Sequence, residues 1–310
     1  MQQKESIELS KNPSLTHKAE DDFIHRSPLV SLKWKLIFPL LLVLFIILGY
    51  PILFSVWIAF HDYKLTRLFD IKFIGFDNFF LILTDSGFIN ALSNTVTFVF
   101  FAVSFELMIG LTLAILVKHL IYFKQLARVI LLVPMFITPI AVGLMFKFLL
   151  NSQFGVINEL VRIDWFGPDM ALFSIVLIDV WQWTPFMFLM CLAGLESLPK
   201  SPFEAARVDG ASPILIFFSL TLPLLRPVII VAIIIRILDA FKVFEYIYAI
   251  TRGGPGNLTE TMMFTIYKTG FRFFNMGQAA AMALTLVVII LSFVLVLVFA
   301  STPKTPSKIS

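Results

Sequence analysis

Residues 201–214 read Ser-Pro-Phe-Glu-Ala-Ala-Arg-Val-Asp-Gly-Ala-Ser-Pro-Ile and separate two long apolar stretches of the chain. Ser201, followed by a proline, is typical of a helix start, and Glu204 stands where a capping-box side chain reaches back to the cap. Gly210 is typical of a helix end. Ser212, again followed by a proline, repeats the start signal. The segment therefore predicts a short helix, a turn and a second helix.

Apolar runs continue on both sides of this segment. Of the 310 residues, 59% are hydrophobic and 14% are charged, whereas soluble domains have about 45–50% apolar and about 25% charged residues. A membrane-crossing helix needs about 20 apolar residues. Six runs meet this requirement: 36–60, 92–117, 129–150, 171–194, 224–250 and 279–300. Pro134 and Pro139 interrupt the third run. The chain is predicted to be an all-α, polytopic integral membrane protein with six transmembrane helices, and the helix-turn-helix lies between the fourth and the fifth.

The positions of Lys and Arg predict the orientation in the membrane. If the amino terminus is cytoplasmic, the cytoplasmic segments carry twice as many basic residues as the external ones, as the positive-inside rule requires. Both termini are then cytoplasmic. The predicted organisation is a cytoplasmic polar tail over 1–35, a six-span domain over 36–301 with a cytoplasmic loop over 195–223, and a cytoplasmic tail over 302–310.

Several kinds of site are not indicated by the sequence. The single cysteine, Cys191, cannot form an intrachain disulfide, and the four histidines lack metal-ligand spacing. No G-x-x-x-x-G-K-[ST] string is present, so the chain is not expected to bind ATP itself. The patterns G-x-S-x-G and H-E-x-x-H are also missing. We therefore expect no catalytic residue, no metal and no resident cofactor. The basic residues form no single patch, which argues against nucleic-acid binding.

Two groups of residues carry a resemblance to known transport proteins. Glu204-Ala205-Ala206, then Gly210 and Leu220-Thr221-Leu222-Pro223, resemble the E-A-A-x3-G-x9-I-x-L-P loop of permease subunits in binding-protein-dependent ABC importers, with Leu220 in place of isoleucine. The segment 251–277 is similar to the region before the last span in sugar permeases of the maltose type. With 154–158 and 179–183, the likeness extends through most of 36–300.

The resemblance implies a set of partners and a docking loop. In this family the loop docks on an ATPase subunit, so the residues expected to couple transport to ATP hydrolysis are Glu204, Ala205, Ala206, Arg207, Asp209, Gly210 and Pro223. The implied partners are a second homologous permease subunit, two ATPase subunits that bind ATP and Mg, an extracytoplasmic solute-binding protein, a sugar substrate and the lipid bilayer. The implied location is the bacterial plasma (inner) membrane.

The resemblance implies a sugar substrate, and we expect a di- or oligosaccharide or a related glycoside. A sugar presents apolar C–H faces and a rim of hydroxyls. Its path needs flat aromatic side chains beside polar groups. The candidates are Asp179, Trp181, Gln182, Trp183, Arg236, Asp239, Phe241 and Tyr246. Trp and Tyr also mark membrane interfaces, so a structural role for the aromatic residues stays an alternative.

The fifth run carries four charges of alternating sign at three-residue spacing: Arg236, Asp239, Lys242 and Glu245. They can pair with one another at i, i+3, or form a polar wall along a watery passage. Glu106 and Asp179 are isolated acids in other apolar runs, where each is either a structural hydrogen-bond partner or a substrate contact. An ion-gradient-driven secondary transporter that uses Glu106, Asp179 and Asp239 is therefore the alternative function.

Overall fold

The computed structural model describes residues 28–67 and 69–301. Most of the predicted tail over 1–35, and all of the predicted tail over 302–310, lie outside the described residues. The chain divides into two compact units, with the boundary between Trp57 and Ile58. The first unit contains α1 and most of α2, and the second contains the elements that follow.

Helices dominate the described residues. They are α1 (Pro28–Leu44), α2 (Tyr50–Ala59), α3 (Asp77–Thr84), α4 (Ser86–His119), α5 (Lys124–Leu132), α6 (Pro139–Leu149), α7 (Val156–Val161), α8 (Ala171–Ser197), α9 (Ser201–Val208), α10 (Pro213–Ile216), α11 (Leu222–Ala240), α12 (Met262–Tyr267) and α13 (Met276–Ser301). Two strands of two residues each, β1 (His61–Asp62) and β2 (Lys72–Phe73), pair antiparallel. The prediction of an all-α architecture is confirmed.

Six stretches account for the predicted crossings. Five continuous helical stretches in the described part of the chain are long and apolar enough to cross a membrane: Lys33–Ala59, Ser86–His119, Ala171–Ser197, Pro213–Ala240 and Met276–Phe299. The sixth is the pair Lys124–Phe136 and Pro139–Leu149, which is bent by 94° at its break. The break falls where Pro139 lacks an amide hydrogen to continue a helix. Six spans are obtained when the bent pair counts as one crossing.

The fifth crossing differs from its predicted bounds at both ends. The predicted run over 224–250 is helical only to Ala240, and the chain turns before a short π-helical segment at Ile247–Thr251. At its other end, the second helix of the 201–222 loop continues into the membrane span, so Pro213–Ala240 is one helix. A π-helical segment, Phe217–Thr221, ends two residues before Pro223 and accommodates the missing amide hydrogen of that proline.

Helices α4 and α8 form the most extensive helix pair of the second unit, and Gly110 lies at their closest approach. A Cβ atom on Gly110 would lie 2.7 Å from Met187 Cβ and 2.8 Å from the backbone nitrogen of Phe188. Because a backbone atom cannot rotate away, the helices would have to separate. Cys191 is fully buried on α8, as its apolar surroundings in the sequence predict.

We expect Gly110→Ala to lower the free energy of unfolding by about 1–3 kcal/mol, the usual cost of overpacking. The matched control is Met108→Ala, since Met108 lies on the same helix and is 65% exposed. The measurement is the thermal denaturation midpoint of the purified chain in detergent. Equal midpoints for the two variants would show that α4 and α8 are not closely packed at Gly110.

Candidate functional site

A cluster of buried charges joins α4, α8 and α11. Arg236 is 2% exposed, and its guanidinium donates to both carboxylate oxygens of Glu106, at 2.7 Å from Nε and 2.9 Å from Nη2. The same Nη2 contacts Asp179, and Nη1 lies 3.2 Å from Asp239 Oδ2. The planar guanidinium suits such a bidentate contact. One arginine therefore holds three carboxylates from three helices.

The local part of this cluster confirms the pairing predicted at i, i+3. Asp239 pairs with Arg236 and also with Lys242, at 3.3 Å. Glu106 and Asp179, which are isolated acids within their own apolar runs, both bind Arg236 and so have the structural role of hydrogen-bond partners. A charge in an apolar environment requires a partner. The presence of acids in apolar runs therefore indicates in the sequence that each has a partner. It does not indicate on which helix that partner lies.

A cavity of about 340 Å³ with charged and aromatic side chains in its wall opens beside the cluster. The structure brings five of the eight predicted path residues to its wall: Asp179, Trp183, Arg236, Asp239 and Tyr246. The Trp183 ring lies over the Arg236 guanidinium, with 5.2 Å from the ring centroid to Cζ. Aromatic faces and carboxylates thus share one wall, the combination expected for a sugar path.

Gln182 lies behind this wall and positions it. The Tyr246 hydroxyl donates to Gln182 Oε1 at 2.5 Å, and Gln182 Nε2 donates to the carbonyl oxygen of Ile137 at 2.6 Å. Ile137 lies in the break of the bent pair. Gln182 is fully buried, so it connects the cavity wall to the bent crossing without lining the cavity.

The structure places Trp181 and Phe241 away from the cavity. Trp181 is 39% exposed and its ring meets Phe146 edge-on, with 5.3 Å between centroids. Successive helical residues point about 100° apart, so Trp181 and Trp183 occupy different sides of α8. Phe241 is buried and packs against Phe293. Neither side chain can touch a molecule in the cavity as it stands.

Three further charged or aromatic residues that were not among the predicted path residues line the cavity: Lys242, Phe244 and Glu245. All three follow the end of α11, where the chain turns. The three-residue charge spacing of the fifth run was the only signal for Lys242 and Glu245, and it gave none for Phe244. It was interpreted on a continuous helix, whereas the turn after Ala240 brings these side chains to the same cavity.

The segment 201–214 forms the predicted helix, turn and helix, but its first cap differs. Helix α9 follows Lys200, and no side chain caps its amino terminus. The prediction that Ser201 caps this helix is wrong, as is the capping box with Glu204, because Ser201 is already the first helical residue. Ser212 caps the second helix as predicted, since its hydroxyl accepts from the Leu215 amide at 3.3 Å.

Gly210 ends α9 in the left-handed conformation, with φ of +77°. Its amide donates to the carbonyl oxygen of Arg207 at 3.1 Å. Most predicted coupling side chains lie on the outside of the loop: Glu204, Ala205, Arg207, Asp209 and Gly210 are exposed, and so is Pro223 at the start of α11. Ala206 is half-buried, on the same side as Phe203. The exposed residues leave one face of the loop open to a partner.

The chain is similar to known membrane transport proteins. Residues 106–301 match the family described as binding-protein-dependent transport system inner membrane component. The chain belongs to this family. It is therefore a multi-pass inner-membrane permease subunit of an ABC importer, a class of subunit that is not itself an enzyme. Use of ATP by partner subunits is implied by the family.

Two curated relatives cover most of the permease. It is 36% identical over 275 residues to the trehalose/maltose transport system permease protein MalF of Thermococcus litoralis, with 86% of this chain and 92% of that protein covered. It is 35% identical to the sulfoquinovosyl glycerol transport system permease protein SmoG of Agrobacterium fabrum, with 81% and 84% covered. These similarities favour the importer over the ion-gradient-driven secondary transporter.

Solved structures show the same fold. A chain of a bacterial ABC transporter involved in the import of the acidic polysaccharide alginate superposes with a TM-score of 0.77 at 22% identity, covering 93% of the permease and 100% of that chain. The alginate transporter in complex with an alginate pentasaccharide-bound periplasmic protein gives a TM-score of 0.75 at 23% identity. The helical arrangement of the permease is that of an ABC importer subunit.

Proposed function

We propose that the permease translocates an uncharged di- or oligosaccharide, or a related glycoside, that an extracytoplasmic solute-binding protein delivers. A second homologous permease subunit completes the path, and two ATPase subunits supply the energy by hydrolysing ATP with Mg. A relative named for trehalose and maltose, which are uncharged sugars, supports this class of substrate.

The observation that carries the proposal is the composition of the 340 Å³ cavity. Trp183 and Phe244 offer aromatic surface to the C–H faces of a sugar ring, and Asp239 and Glu245 offer oxygens that accept from its hydroxyls. The cavity borders the bent crossing through Pro139. A break of that kind is tolerated at membrane depth where it lines a polar passage.

The charges of the cavity favour an uncharged sugar. Its wall carries the carboxylates of Asp179, Asp239 and Glu245 and the cations Arg236 and Lys242. Carboxylates of this chain already surround Arg236, and Lys242 pairs with Asp239. An anionic sugar would therefore meet an excess of negative charge, because both cations of this wall are already paired within the chain.

The orientation and the coupling loop belong to the same proposal. Three segments lie in the cytoplasm: the tails over 1–35 and 302–310, and the loop over 195–223. The ATPase subunit contacts seven residues of this loop: Glu204, Ala205, Ala206, Arg207, Asp209, Gly210 and Pro223. Closure of the ATPases pushes α9, and since α10 is continuous with the fifth span, the push reaches Arg236 and the cavity. Transport then follows from alternating access.

The substrate path is tested with two adjacent tryptophans. We expect Trp183→Ala to raise the half-saturating sugar concentration for uptake about tenfold, which corresponds to the loss of one aromatic contact. Trp181→Ala is the matched control, because it removes the same side chain from the other side of α8. The measurement is uptake of the labelled sugar into vesicles that contain the whole importer and its binding protein. Equal uptake kinetics for the two variants would contradict the proposed path.

A further inference from the structure

A second and larger cavity, of about 980 Å³, lies where α4 and α8 end and α9 begins. We call it the basic cleft. Its charged lining residues are Lys118, Lys124, Lys200 and Arg207, with the carboxylates Glu196 and Glu204. Cations outnumber carboxylates even without Arg128, which contacts Glu196 from α5.

The cations of the basic cleft are only partly neutralised. Glu196 accepts from Lys124 at 3.0 Å and also contacts Arg128, so one carboxylate serves two cations. Lys118 donates to the backbone oxygen of Leu195 at 2.8 Å and forms no ion pair in the described part of the chain. Lys200 and Arg207 form no ion pair within the described residues. The Nε atom of Arg128 is also buried, and it has no hydrogen-bond partner among the residues that the structure describes.

The other half of the basic cleft is apolar. Ile115, Leu195, Phe203, Ile216 and Phe217 contribute to its wall. Four of these residues lie in the helical stretches of the spans: Ile115, Leu195, Ile216 and Phe217, the last two near the start of Pro213–Ala240. The cleft therefore sits at the level where the spans leave the hydrocarbon of the bilayer, with charges on one side and apolar side chains on the other.

We propose that the basic cleft binds an anionic phospholipid, with its phosphate among Lys118, Lys200 and Arg207 and an acyl chain along the apolar wall. In the orientation proposed above, the cleft faces the cytoplasmic leaflet. Basic pockets between spans at that level bind anionic headgroups. Soluble phosphate would use the charges but not the apolar wall. Since the ligand touches α9 and α10, it would hold the docking loop against the ends of α4 and α8.

The test uses the full chain in nanodiscs of phosphatidylcholine that contain phosphatidylglycerol as the minor, anionic component. Native mass spectrometry of the released protein counts the retained phosphatidylglycerol. We expect Lys118→Gln with Lys200→Gln to lower the apparent affinity about thirtyfold, from the loss of two cations near the headgroup. The matched control is Lys35→Gln with Arg226→Gln, which removes two exposed cations that do not line the cleft.

Retention by the control and loss by the Lys118 and Lys200 variant supports the proposal. Equal retention by both variants overturns it, because the lipid would then bind by general charge. Displacement of the lipid by inorganic phosphate also overturns it, since the apolar wall would contribute nothing. If the lipid leaves when the ATPase subunits are added, the cleft is a protein-docking surface and the proposal fails. None of these readouts depends on sugar uptake, so they are independent of the proposed function.

Discussion

Arg236→Met is expected to prevent stable folding of the permease in the membrane. Removing the guanidinium leaves Glu106 and Asp179 buried beside each other with no counter-ion. Removing one partner of a buried ion pair costs about 3–5 kcal/mol, a large part of the stability of most proteins. The measurement is the amount of monodisperse permease recovered from membranes, together with its thermal denaturation midpoint.

The same helix offers the control for this variant. Arg226 is exposed, so Arg226→Met removes the same side chain without exposing a buried acid, and we expect near-normal recovery. Combining Arg236→Met with Glu106→Gln and Asp179→Asn should restore recovery in part, because the buried acids become neutral. If Arg236→Met were recovered as well as Arg226→Met, the three-helix charge cluster would have no structural importance.

The sequence predicts the membrane spans because their apolar composition is a local property. It is less reliable where local signals conflict. Pro139 breaks the third run and produces the 94° bend, and the charges after Asp239 coincide with a turn where the apolar run predicts continued helix. In both places the irregular backbone borders the 340 Å³ cavity. The departures from the predicted spans therefore lie at the proposed substrate path.

The candidate site was only partly predictable for a related reason. The pair Arg236 and Asp239 is local, and its spacing shows it. The partner Glu106 lies 130 residues away, and only the packing of α4 against α11 identifies it. Likewise, Trp181 and Trp183 are equivalent in sequence, and the rotation of α8 within the bundle decides which of them faces the cavity.

Gly210→Pro is expected to abolish sugar uptake while the permease still reaches the membrane. Gly210 has a φ of +77°, whereas proline is restricted to about −65°. Proline would also remove the hydrogen bond from the Gly210 amide to Arg207. The turn between α9 and α10 would then take another path and misplace the exposed face of α9. Since the loop is largely exposed, the cost falls on docking and not on the packing of the spans.

The control is Gly210→Asn, because asparagine tolerates the left-handed conformation and a Cβ atom at this position meets nothing within 4 Å. A defect in Gly210→Pro that Gly210→Asn lacks therefore reports the backbone path of the turn. The measurements are uptake and substrate-stimulated ATP hydrolysis by the whole importer in vesicles. We expect both to be lost in the proline variant, because a displaced α9 cannot carry ATPase closure into α10 and the fifth span. Undiminished uptake would mean that the motor acts on the permease through some other surface.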